Sequence, residues 1–102
     1  MTGTHWLRLI APRTPDPDIP LRYLWQAVAS VVPKMGFPIP PSVAQLDEWC
    51  RRPLPDWEEI FAEAVTHDDE HDLSLSFSAS QEYEFYGDPL YKYVVAQRLG
   101  MI

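Results

Sequence analysis

Residues 73–86 read LSLSFSASQEYEFY. Leu73, Leu75, Phe77 and Ala79 alternate with Ser74, Ser76, Ser78 and Ser80, and Tyr83 and Phe85 then alternate with Glu82, Glu84 and Tyr86. A period of two is the mark of a strand with one buried and one wet face, so the stretch predicts an antiparallel hairpin turning near residues 78–81. No Asn-Gly or Asp-Gly pair pins that turn. On this reading the serines are the wet side of the first strand, and Glu82 and Glu84 the wet side of the second.

On the C-terminal side, Asp88-Pro89 reads as a cap followed by a first-turn proline, and Gly100 as a helix stop, with Met101 placed for the apolar contact that accompanies such a stop. Residues 89–99 are therefore expected to be helical, the competing reading being a third strand over residues 91–95. On the N-terminal side lie three helix signatures. Pro20 followed by Leu21, Leu24, Trp25, Val28, Val31 and Val32 gives an apolar stripe at steps of three and four that is expected to lie on the core, stopped by Pro33 and Gly36. Ser42 with Gln45 and Asp56 with Glu59 are capping-box pairs that open two shorter helices. The first of these carries Val43, Leu46, Trp49 and Cys50; the second carries Trp57, Ile60, Phe61, Ala64 and Val65. Phe37-Pro38-Ile39-Pro40-Pro41 is too rich in proline for anything but an extended strap, with docking into a proline-reading groove as the functional alternative. The opening run His5 to Ala11, HWLRLIA, closed by Pro12, reads as a strand apolar on both faces. The elements then follow the order β-α-α-α-β-β-α. They predict one α+β domain over residues 1–102, with an antiparallel sheet of about three strands packed by three to four helices.

Charge is concentrated around the deciding stretch. From Asp56 to Asp88 there are eleven acids and no Lys or Arg, whereas residues 1–55 hold six basic groups against four acids. The formal net charge is −7. That balance disfavours bare nucleic acid and anionic membrane surfaces, which are bound through Lys and Arg that displace counterions. A partner with a basic surface is favoured, and would be met faster at low salt.

Local stability does not account for the pattern. Glu59 and Glu63 are like charges one turn apart, and Asp68, Asp69 and Glu70 crowd the end of a helix where the dipole disfavours anions. The expected partner-binding residues are therefore Glu59, Glu63, Asp68, Asp69, Glu70, Asp72, Glu82 and Glu84, with Trp57 and Tyr86 as candidate apolar anchors. The plain alternative is a solvated face that keeps the chain soluble. The function expected is inhibition or neutralisation of a macromolecular partner, as by an immunity protein against a nuclease toxin or a phage-encoded inhibitor of a nucleic-acid-binding complex.

Chemistry-bearing motifs are sparse. His67 and His71 have the four-residue spacing of a zinc pair, but neither a Cys nor a third His stands near to complete a shell. A small metal-binding protein using His67 and His71 is thus an alternative, and no cofactor is expected. Cys50 is the only cysteine, which precludes an intramolecular disulfide and suits a reducing compartment. With no export leader recognisable at Met1 to Ala11, the expectation is a cytoplasmic protein. The four glycines form no phosphate loop, and an all-acidic run does not set two carboxylates in contrasting environments, so no enzymatic activity is expected.

Leu24-Trp25, Pro40-Pro41 with Leu46-Asp47-Glu48-Trp49, and Pro55-Asp56-Trp57-Glu58 place aromatic-bearing helices between proline corners. Over residues 21–66 this resembles the helical pattern of phage tail-assembly chaperones. The resemblance implies a non-enzymatic binding protein that contacts an extended tape-measure protein through apolar grooves.

Overall fold

The computed structural model describes residues 1–102 and contains helices only. In chain order they are α1 (Thr2–Ile10), α2 (Asp18–Val31), α3 (Val43–Arg51), α4 (Trp57–Ala64), α5 (Glu70–Tyr86) and α6 (Leu90–Arg98), with 3-10 turns at Ala11–Arg13 and Val32–Met35. The α+β expectation is overturned, because neither the strand at His5 to Ala11 nor the hairpin over residues 73–86 exists. No helix is long and apolar enough to cross a membrane.

The chain divides into two compact units, one formed by Gly3–Pro41 and the other by Met1–Thr2 with Ser42–Ile102. In the first unit, Leu7, Arg8 and Leu9 are good helix formers, and α1 ends where Pro12 enters the first turn of the 3-10 helix. Gly3 allows α1 to lie against α2, since a Cβ at that position would stand 3.0 Å from Leu24 Cδ1. The stripe on α2 ends as its prolines dictate, Pro33 tightening the chain into the 3-10 turn and Gly36 taking the left-handed conformation, but it does not lie on a core as expected, since no residue of α2 is buried.

In the second unit both capping boxes form. Ser42 Oγ accepts from Gln45 N–H at 3.3 Å while Gln45 Oε1 accepts from Ser42 N–H at 2.8 Å. Asp56 and Glu59 exchange the same pair of bonds at 2.8 Å each. The final helix also forms, which settles residues 89–99 against the strand reading. Asp88 Oδ1 accepts from Leu90 N–H at its start, and at its end Gly100 turns left-handed and Met101 N–H bonds back to Ala96 O.

The core of this unit is small. Ile60 and Ala64 from α4, Ala79 from α5, and Val95 with Leu99 at the end of α6 are buried together, flanked by Trp57, Leu75, Tyr91 and Met101. α3 joins by stacking Trp49 on Tyr93 of α6, ring centroids 4.8 Å apart and nearly parallel.

The Ser-alternating stretch proves to be the central helix for a packing reason. α5 turns Asp72, Ser76, Ala79 and Tyr83 inward at steps of three and four, and Ser76, Ser78 and Ser80 are all buried. Small side chains there let α4 and α6 lie close. Two of these hydroxyls are satisfied inside the helix, Ser76 Oγ donating to Asp72 O at 2.7 Å and Ser80 Oγ to Phe77 O at 2.9 Å. Leu73 and Phe77, assigned by the strand reading to the buried face, are exposed instead. Three of the four serines thus lie on the inner side of a helix, Ser74 alone remaining exposed, and Glu82, expected on a wet strand face, is buried with 3% of its surface exposed.

Candidate functional site

The acidic segment folds into an antiparallel helical hairpin. Trp57 at the start of α4 meets Tyr83 near the end of α5 edge-on at 5.6 Å, while His67, just past α4, meets Asp72 in the first turn of α5. Acids close in sequence are thereby sorted to the two ends of the hairpin, about 12 Å apart for a helix of eight residues.

At the end formed by the α4–α5 link, the turn bonds Thr66 N–H to Glu63 O and His67 N–H to Ala64 O, which swings the His67 ring back between the helices. Its Nδ1 lies 2.7 Å from Asp72 Oδ2 and its Nε2 3.3 Å from Glu63 Oε1. Asp72, only 5% exposed, receives Arg98 Nε on its other oxygen at 2.7 Å. Arg98 extends its fork to Asp69 Oδ2 at 3.0 Å. Asp69 caps α5 by accepting from His71 N–H at 2.9 Å, and the same oxygen stands 2.7 Å from His71 Nδ1; Asp69 and Glu70 thus open α5 at the end where the dipole favours anions, and do not crowd an unfavourable helix end as expected. A single network therefore spans α4, the link, α5 and the last turn of α6.

The electrostatics follow from these contacts. The hydrogen bond to Asp72, then that to Glu63, raises the His67 pKa above its ordinary value. Arg98, then His67, holds the Asp72 carboxyl below the usual range. Asp69 is lowered chiefly by the His71 backbone N–H and then by the His71 ring, and Arg98 is raised by Asp72. An imidazole faced by carboxylates at both nitrogens donates to both only in its protonated form.

His67 and His71 do not converge. They attend different carboxylates, Asp72 and Asp69, and no three His, Cys, Asp or Glu side chains are gathered as a metal would require. Cys50 is a half-buried free thiol on α3.

At the opposite end, Glu59 is exposed with one carboxylate oxygen in its capping box, and Glu84 is exposed near the end of α5. Lys92 of α6 lies over the faces of Trp57 and Tyr83, its Nζ 5.6 and 5.1 Å from the ring centroids. Trp57 is therefore engaged inside the unit, with its Nε1 buried and unpaired. Tyr86 is the exposed aromatic of the two expected anchors, stacked on Tyr91 at 6.1 Å.

The eight expected contact residues thus separate by environment. Asp72 and Glu82 are buried; Glu63 and Asp69 are tied to His67, His71 and Arg98; Glu59, Asp68, Glu70 and Glu84 face solvent, and the last three make no ion pair. Arg98 and Lys92, which the sequence reading passed over, bring positive charge to each end. The short link between α5 and α6 was the available signal, since it turns the last residues of α6 back toward the acids that open α5.

No protein family, no characterised protein and no solved structure matches this chain.

Proposed function

We propose that the chain is a protein-binding domain that engages a basic surface on a macromolecular partner through the exposed carboxylates of the α4–α5 hairpin, in the manner of an inhibitor or antidote. The observation that carries this reading is the distribution of charge between the two units. Residues 42–102 hold thirteen carboxylates against four Lys and Arg, a net −9, whereas residues 3–41 hold two against four, a net +2. Single exposed ion pairs contribute little, so such a surface works by the summed field of several charges, which steers a basic partner and weakens with salt. Asp68 and Glu70 at the link, and Glu84 with Glu59 at the opposite end, are the contacts available without dismantling the fold.

The test is a tagged pull-down from source-cell lysate with wild type and the triple variant Asp68→Asn, Glu70→Gln, Glu84→Gln, at low and high salt. A basic protein captured by wild type alone and released by salt supports the proposal. Equal capture of one partner by both forms at high salt overturns it.

A second reading rests on α2. Trp25, Tyr23, Phe37 and Ile39 are exposed, and Ala27, Val28, Val31, Val32 and Met35 line an apolar groove of about 300 Å³. Such a face suits an extended apolar segment of a partner, as the tail-assembly-chaperone resemblance implies. Val28→Ser with Val31→Ser abolishes capture on this reading and leaves it intact on the first.

A further inference from the structure

One side chain in the second unit both bridges two helices and changes charge near neutral pH. We propose that His67 is a pH-operated latch: as the imidazolium it joins Glu63 in the last turn of α4 to Asp72 in the first turn of α5, and its neutralisation breaks that join at Glu63 and loosens the turn between the helices. The inference goes beyond the binding proposal and does not depend on it.

The geometry supplies the mechanism. His67 needs a proton on both ring nitrogens, because each faces a carboxylate from a different helix, Glu63 on α4 and Asp72 on α5. A neutral imidazole has one donor and one acceptor, so on losing a proton it sets a lone pair against a carboxylate oxygen. The proton retained is the one on Nδ1, where the contact is the shorter and Asp72 is buried with no water to replace it. The bond that fails is Nε2 to Glu63, and with it the hold on the α4 end of the link.

The surrounding charges reinforce this direction. α4 presents Glu63, the start of α5 presents Asp69 and Asp72, and α6 presents Arg98. With His67 neutral, Glu63 faces no cation of this network, and the fork of Arg98 is already divided between Asp69, which the His71 ring also contacts, and Asp72. His71 lacks the bridging role, since its partner Asp69 is the cap of its own helix.

The raised pKa of His67 sets the sign. Its contribution to stability is complete below the ordinary value of 6.5 and is lost as pH rises through the higher folded value. Each unit by which the folded midpoint exceeds the unfolded one changes the ratio of closed to open corner about tenfold.

The experiment is an NMR titration of the full chain from about pH 5.5 to about pH 8.5, spanning the range in which imidazole titrates. It follows the His67 ring nitrogens and the amide exchange of Thr66 and His67 relative to unstructured peptide rates. Expected are a His67 midpoint above 6.5, a neutral form protonated on Nδ1, and amide protection that falls across that same midpoint. In Glu63→Gln the midpoint drops, whereas His71→Gln keeps the wild-type profile. A His67 midpoint at or below 6.5, protection that ignores the midpoint, or loss of the profile in His71→Gln overturns the latch. The wild-type titration decides the matter alone should a variant fail to fold.

Discussion

Asp72 and Arg98, 26 residues apart, meet with Oδ1 2.7 Å from Nε, and the meeting joins the first turn of α5 to the last turn of α6. Each charge also sits at the favourable end of its own helix, the anion near an N-terminus and the cation near a C-terminus. Because Asp72 is buried, its loss of hydration is compensated only by what surrounds it.

Arg98→Ala therefore lowers the urea midpoint of unfolding far more than Arg52→Ala, whose Glu48 pair is exposed on both sides. The double variant Asp72→Leu, Arg98→Met recovers part of the loss, because it removes the buried carboxylate that Arg98→Ala leaves without its cation. Equal midpoints for the two single variants would remove Arg98 from its structural role.

Acidification acts on the same network from the other side. Asp69 and Asp72 have folded pKa values below 3.8, so their contribution is complete above that value and is lost as pH falls through the lower folded ones. Far-UV circular dichroism should show a steep loss of helix in acid for wild type. In Asp72→Asn the starting stability is lower and the acid limb is flatter.

Size matters more than polarity along the inner face of α5. Ser76→Leu costs about 1–3 kcal/mol by overpacking between neighbouring helices. Ser76→Ala stays within about 1 kcal/mol, since it removes only a bond that the hydroxyl makes to its own helix. Phe77→Gln, at an exposed position, costs less than Ser76→Leu. Urea unfolding of the three variants checks this order.

The core and the caps set two further magnitudes. Ile60 is fully buried, and Ile60→Ala costs about 2–5 kcal/mol through lost burial and the cavity left behind. Ser42→Ala costs about 1 kcal/mol by unpairing the N–H of Gln45, and Ser42→Gly only a few tenths of that amount. Equilibrium unfolding distinguishes the two scales.

What was legible in the sequence was local. The capping pairs Ser42 with Gln45 and Asp56 with Glu59, the proline stop on α2, and the Gly100 stop on α6 depend on residues within a few positions of one another, and all form as read. The errors arose where a distant neighbour decides. α5 alternates Ser with apolar residues, so period two overrode a 17-residue helix whose inner face is small and not greasy. α1 has an apolar run suited to a strand, but the fold contains no strand to pair with it.

The acidic site was legible as composition and not as arrangement. Counting charges along residues 56–88 put Asp72 and Asp68 in one class, whereas the fold places the first under Arg98 and His67 and leaves the second in water. His67 lies within that window but stands next to Asp68 in sequence and not to Asp72, and the other discriminating residue, Arg98, lies ten positions beyond its end.

The inward serines of α5 carry a consequence for how this protein tolerates change over time. Packing constraint falls on Ser76, Ser78 and Ala79, where only another small residue fits, and is light at Leu73 and Phe77, where a bulky group already faces outward. Drift along this helix would spare its least hydrophobic positions and rewrite its most hydrophobic ones, so descendants would share a rhythm of small residues long after their apolar signature had diverged.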